Sequence, residues 1–433
     1  MINNEFVIRF SKRNAMLFMA LTLLILIEYH FCYIVPYPSF LSNLFWGRRQ
    51  YILLGGIGVL WAYICFYRNS QYLKQYGKRL FAFVSIYLLC WFLQVLLSWW
   101  RYPQEIQDVI SVSARFLCIA YVMPFFLLFI RENGPQKFMN SINIISLIWE
   151  VVLILQQYIY VKTGSFIFDM ATFFSNSEHA SVYLKIGNFR VGINAFGCLM
   201  IIYNFEKIYS KTKNKREKIF SLICFLIGIY TLIFIQQTRI YIIVVAICIV
   251  TIILIKGGKI KYQLFKISFV IAIALFILES PIVKEFVESF SLTGDKRWST
   301  QARLYSLQYY YECIKNNPIL GNGFTSDSLF YIAHGNMGQA DYSDVGLFGL
   351  VAETGIFSLF FFIYPVIRMI RILYGIKKSK KKILALDIAI LVFVFCTSIT
   401  LVLTDVSRII CFSFIIAYFE YRKFESEQTL LCQ

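Results

Sequence analysis

Twelve apolar runs decide what this chain can fold into. They fall near residues 15–35, 51–67, 80–100, 109–130, 138–160, 189–206, 219–236, 240–255, 267–280, 345–366, 383–404 and 406–420. A helix crossing a hydrocarbon core of about 30 Å needs roughly 20 residues, and most of these runs approach that length. None alternates as an outer-membrane barrel strand does. With 59% hydrophobic and only 15% charged residues, against about a quarter charged in soluble domains, the chain reads as an all-α polytopic membrane protein. The expected architecture is about 12 transmembrane helices. Helices 1 to 9 occupy 1–280, a large helical extracytoplasmic loop occupies 281–344, and helices 10 to 12 with a cytoplasmic tail occupy 345–433.

Charge orients the bundle. About two thirds of the 42 Lys and Arg fall in alternate connections, so the positive-inside rule puts both termini in the cytoplasm and accounts for the net charge of +18 without nucleic acid. Arg9, Lys12 and Arg13 before the first run resemble a signal peptide, but the run continues through Glu28 to Val35 with no small-residue cleavage site; an uncleaved first span is expected. Cys65, Cys90, Cys118, Cys198, Cys224, Cys248, Cys396 and Cys411 sit inside apolar runs without a CxxC spacing, as small core residues do.

The polar interval 281–344 is where chemistry is expected. Ser299 or Thr300 can cap a helix over about 301–315, with Leu304, Leu307, Tyr311 and Ile314 at helical spacing and Asn317-Pro318 ending it. Arg303 would then stand in the first turn beside free backbone N–H groups, a site for a phosphate, an ordinary solvated arginine being the alternative. Pro318–Phe324 (PILGNGF) is a tight turn with two glycines, not a nucleotide fingerprint, because no strand precedes it. Asp344 lies where the chain re-enters the membrane, as helix cap or as general base. Gly346, Gly349 and Glu353 share a helix face, which suits a close-packed interface with a buried, partnered carboxylate.

Lone ionisable groups at membrane boundaries form the second group of candidates. Arg239 follows Gln236-Gln237-Thr238 between two runs with no proper loop; Arg115 lies in the fourth run; Arg190 opens the sixth. Snorkelling to the interface is the alternative for each. His334 is the one histidine of the polar interval. Tyr305, Tyr309 and Tyr310 are possible sugar-stacking platforms, with packing as the alternative. No DxD, HxxH or Walker sequence is present, so phosphate chemistry here would rest on arginines, with neither metal nor cofactor expected.

Arg239 opening the eighth run, an R-x(13)-N-P-x-L-G-x-G stretch from Arg303 to Gly323, and the E-x-G-I turn at Glu353–Ile356 together resemble the bacterial O-antigen and capsular polysaccharide polymerases and the O-antigen ligases. The resemblance implies a metal-independent, inverting glycosyltransferase acting on undecaprenyl-diphosphate-linked oligosaccharide at the outer face of the bacterial plasma membrane. It also implies that Arg239 and Arg303 hold the lipid diphosphate, and it suggests a chain-length regulator and a flippase as partners beside membrane lipids. Many ligases carry a histidine eleven residues before the E-x-G glycine, where this chain has Asp344. That departure leans towards a polymerase with Asp344 as base and His334 in reserve. A ligase moving finished glycan, or a lipid-oligosaccharide flippase, is the alternative.

Overall fold

Apolar backbone inside a bilayer can satisfy its own hydrogen bonds only as helix or closed barrel, and helices are what this sequence forms. The computed structural model describes residues 12–29, 31, 55–63, 71–130, 134–164, 184–185, 188–189, 194–210, 214–256, 297–336, 338, 340–379 and 382–431. In chain order these contain α1 (Lys12–Glu28), α2 (Gln71–Arg101), α3 (Ile106–Ser113), a 3-10 stretch (Ala114–Tyr121) and α4 (Val122–Phe129). Then come α5 (Gly134–Thr163), a two-residue ladder of β1 (Leu184–Lys185) and β2 (Asn188–Phe189), α6 (Ala195–Tyr209), α7 (Lys215–Tyr230), a π-helical turn (Thr231–Gln236) and α8 (Arg239–Lys256). The last part holds α9 (Arg297–Asn316), α10 (Phe330–His334), α11 (Gly346–Thr354), α12 (Tyr364–Lys378), α13 (Ala385–Ser398) and α14 (Ile409–Leu431).

Six helical segments among the described residues are long and apolar enough to cross a membrane: 76–101, 106–129, 135–163, 215–236, 239–256 and 359–378. Three shorter apolar helices, 15–28, 346–357 and 385–398, accompany them. The chain is therefore built as an all-helical polytopic membrane protein. The ninth expected span and the start of the polar interval lie outside the described residues, as do Arg190 and Cys65.

The 106–129 segment is 83% buried, against 39% for 76–101, so it is the axis around which the other helices pack. Every residue of α4 is buried, and Phe125 and Phe129 meet Phe414 of α14 edge-on at 5.5 and 5.3 Å. Polar pairs fix helix register where apolar contacts alone would let helices slide. Asn143 of α5 and Asn204 of α6 exchange amide hydrogen bonds of 3.0 and 2.6 Å. At the lysine-rich end, Arg368 of α12 pairs with Glu420 of α14, which also accepts a 2.7 Å hydrogen bond from Tyr76. Beside it Arg422 pairs with Asp387 at 3.1 Å. Arg368 and Arg422, just beyond the apolar runs 345–366 and 406–420, are thus helix residues in interhelical ion pairs. The eight described cysteines form no disulfide, and all but Cys396 are buried.

Two expected helices differ from the sequence reading. The fourth run is not one regular α-helix, because the 3-10 stretch interrupts it just where Arg115 sits. The tenth run, expected over 345–366, breaks at Gly355, whose φ of +55° closes α11; the crossing segment is 359–378. The physical cause is a docking contact. A Cβ on Gly355 would lie 2.3 Å from the Ile319 carbonyl oxygen, and one on Gly321 would lie 2.6 Å from that of Ala352. Only glycines permit this approach.

Candidate functional site

The PILGNGF turn builds the site by strapping the polar segment to the bundle. Asn322 and Gly323 donate their backbone N–H groups to the carbonyls of Ala352 and Glu353 at 2.7 and 2.8 Å, and Ile356 donates to Ile319 at 2.9 Å. From the other side, the end of α2 grips the same turn. Gln94 donates to the Leu320 carbonyl at 2.9 Å, Arg101 Nη1 to that of Gly321 at 2.7 Å, and Phe324 N–H to Ser98 Oγ at 2.9 Å. The turn's backbone, which water would otherwise have to satisfy, is thereby fixed between α2 and α11.

On this strap α9 packs against α11 and the 342–344 turn through Tyr310, Cys313, Val345 and Ala352. Tyr310 stacks on Tyr342 with centroids 4.5 Å apart and donates to the Ala333 carbonyl at 3.0 Å; Tyr309 donates to that of Ile332 at 2.8 Å. Burial pushes the Tyr310 and Tyr342 hydroxyls well above the ordinary tyrosine range, so both stay neutral, and that of Tyr342 accepts from the Asn322 amide at 3.3 Å. Tyr310 is fully buried and Tyr309 is bonded inward, so these two are the core of the polar segment rather than open sugar platforms.

The result is a cleft of about 180 Å³ at this end of the bundle. Arg115 comes from the 3-10 stretch, Glu353 and Leu350 from α11, His334 from α10, Asp341, Tyr342 and Ser343 from the turn before α11, and Thr404 and Asp405 from the turn between α13 and α14. Arg115 and Glu353 form a buried ion pair at its floor. Asp405 pairs with Arg408 at 3.3 Å. Burial alone would raise the Asp405 carboxyl, but Arg408 and Arg115 outweigh it and hold the group below the usual carboxylate range. His334 Nδ1 lies 2.5 Å from the Ala340 carbonyl, which can only accept. Nδ1 therefore donates in this contact, which fixes the ring's orientation at the cleft wall.

The sequence-derived candidates are placed as follows. Arg115, Glu353 and His334 line the cleft. Asp344 sits beside it: the cleft is lined by Asp341, Tyr342 and Ser343 instead. Asp344 does not cap the helix that follows: α11 begins after Val345 with no side-chain cap, while Asp341 caps the 3-10 turn 342–344, its Oδ1 accepting from Ser343 N–H at 2.8 Å. Arg303 is not in a first turn. The helix starts at Arg297, so Ser299 and Thr300 are inside it and the N–H groups near Arg303 are not free end donors. Arg303 does not line the cleft; it shares a face of α9 with Ser306, whose Oγ accepts from Asp341 N–H at 3.3 Å, and with Tyr310, which stacks on Tyr342. The Nε of Arg303 is buried with no hydrogen-bond partner.

Arg239 is the first residue of α8, two residues after Gln237, which ends the π-helical turn in the left-handed region at φ 50°. Tyr241, two residues on, is within electrostatic reach of Arg408 and Asp405, so α8 begins on the Asp405 side of the cleft. Asp341, Asp405 and Arg408 were not singled out from the sequence. For the last two the signal was there: Asp405 stands between runs 383–404 and 406–420 with no proper loop, the pattern that marked Arg239, and Arg408 lies in the first turn of the second run.

Residues 222–363 match the family model described as O-antigen ligase. That stretch contains Arg239, Arg303, the PILGNGF strap and the Glu353–Gly355 turn. No curated protein matches this chain. Over residues 222–363, about a third of its length, the chain is thus similar to the O-antigen ligase family.

Proposed function

We propose that this protein is a polysaccharide polymerase, transferring a growing glycan from undecaprenyl diphosphate to the non-reducing end of the next lipid-linked repeat unit at the outer face of the plasma membrane. The observation that carries the reading is the cleft itself. It joins carboxylates of the family-matched segment to Arg115, with Arg303 and Arg239 on elements that approach it from two sides.

In the transfer, the acceptor hydroxyl oxygen attacks the anomeric carbon from the face opposite the leaving group, giving inversion. The C1–O bond to the diphosphate breaks and its electron pair stays on the diphosphate oxygen. The acceptor's proton passes to a carboxylate of the 341–344 turn: Asp341, which faces the cleft, in preference to the neighbouring Asp344. Asp405, held ionised by Arg408 and Arg115, is the weaker base. Arg303 and Arg239 stabilise the charge gathering on the diphosphate, and bidentate guanidinium groups suit that task. Glu353 keeps Arg115 oriented.

The test is Arg303→Ala in a strain lacking the native gene. Loss of a charge-stabilising donor costs about 10²–10³ in rate, so the polysaccharide ladder should collapse to single lipid-linked repeats. Long polymer at normal yield refutes the proposal. Long chains accumulating on the lipid would instead assign a ligase, and repeats trapped on the cytoplasmic face a flippase. Asp341→Asn and Asp344→Asn in the same assay assign the base.

A further inference from the structure

A second cavity, of about 270 Å³, lies at the opposite end of the bundle from the cleft, between α12 and the last turns of α14. Its α12 wall is one helix face, running from Tyr364 through Arg368, Ile372 and Gly375 to Ser379 in steps of three or four residues. From 364 to 379 that face runs about 22 Å along the helix axis. The groove is thus long, apolar towards Tyr364 and basic towards the lysine-rich end.

Its cations are unequal. Arg368 is neutralised by Glu420. Lys423 stands over the Tyr76 ring at 5.6 Å and only loosely near Glu427, at 3.8 Å. Arg371 is exposed and makes no ion pair among the described residues. Lys377 and Lys378 close α12 just beyond, adding to the positive field. Gly375 leaves the middle of the groove open, since a Cβ there would meet no atom within 4 Å.

We infer that this groove binds one anionic phospholipid of the inner leaflet, its phosphate between Arg371 and Lys423 and an acyl chain along Ile372 and Tyr364. A phosphate needs the cations; only a lipid uses the apolar length that continues from them. Basic pockets between helices at the cytoplasmic surface suit such headgroups. The inference rests on the inward orientation of this end, not on the transferase reading, and its readout is lipid rather than polymer.

The full chain is purified in mild detergent, and bound phospholipid is measured by native mass spectrometry for wild type, Arg371→Ala/Lys423→Ala and Gly375→Leu. Wild type should retain phosphatidylglycerol or cardiolipin in preference to phosphatidylethanolamine. Removing both cations should cut retention by about tenfold or more. Gly375→Leu should cut it equally with every charge intact, and it decides the matter if the double variant fails to fold, because leucine favours the helix that glycine weakens. Equal retention in Gly375→Leu, or equal retention of phosphatidylethanolamine by wild type, overturns the inference. So does millimolar inorganic phosphate displacing the lipid, which would mark a site for a soluble anion.

Discussion

The ion pair under the cleft makes the sharpest stability prediction. Glu353 and Arg115 are 5% and 15% exposed at their side chains, and they join α11 to the central 3-10 stretch. Removing one member of such a pair strands the other charge in a low-dielectric site, at a cost of about 3–5 kcal/mol. The two removals should not be equal. Glu353→Ala leaves Arg115 with the Asp405 carboxylate still in electrostatic reach, so its cost should sit near the lower figure of about 3 kcal/mol. Arg115→Ala strands Glu353 and also deprives Asp405 of one of its two cations, so its cost should sit near the upper figure of about 5 kcal/mol. Replacing both residues with leucine removes the charges together, and stability should return to within about 1 kcal/mol of wild type or above it. The assay is unfolding by sodium dodecyl sulfate in mixed micelles, followed by tryptophan fluorescence. Single variants within about 1 kcal/mol of wild type refute the reasoning, because the pair would then behave as an exposed one. A double variant as unstable as the sum of the singles refutes it too, since the cost would be lost packing rather than unpaired charge.

Three further outcomes follow from the same geometry. Gly321→Ala and Gly355→Ala each place a Cβ within 2.6 Å of a backbone oxygen at positive φ, so each should cost about 1–3 kcal/mol and speed protease cleavage in 317–326; unchanged cleavage counts against the strap. Because the two glycines face each other, the double variant should cost less than the sum. Asp405 contributes a pH dependence of defined sign. Its folded carboxyl sits below its unfolded value of about 4, so its stabilisation is complete above that value and fades as pH falls through the folded one. The stability gap between wild type and Asp405→Asn should therefore be flat from about pH 5 to 8 and shrink below about pH 4; a gap that widens on acidification excludes the ion pairing as its source.

Much of the architecture was legible in the chain because the bilayer imposes it locally. Any run of roughly 20 apolar residues must satisfy its own backbone, so runs 80–100, 138–160, 219–236 and 240–255 became helices over nearly the expected ranges. The local chemistry of Gln236–Arg239 likewise marked a sharp turn before α8. The pairing of distant residues was beyond the reach of such reasoning. Helical periodicity put Glu353 on a face with Gly346 and Gly349, but the chain carries no sign that Arg115, 238 positions earlier, lies opposite it. The same holds for Asp341 and Asp405, which meet only through the folding of α9 and the α13–α14 turn around α11.

Sequence by itself thus determined that this is a helical membrane protein, because that follows from transfer of short segments between water and hydrocarbon. Tertiary structure alone decided that Gly355 ends a helix where an unbroken run was expected, since the cause is the backbone of 319–323 pressing against it. It decided that Asp341 rather than Asp344 faces the cleft, because a 3-10 turn anchored through Ser306 and Tyr310 sets which carboxylate turns inward. Those choices depend on contacts between segments far apart in the chain, and short-range propensity carries no information about them.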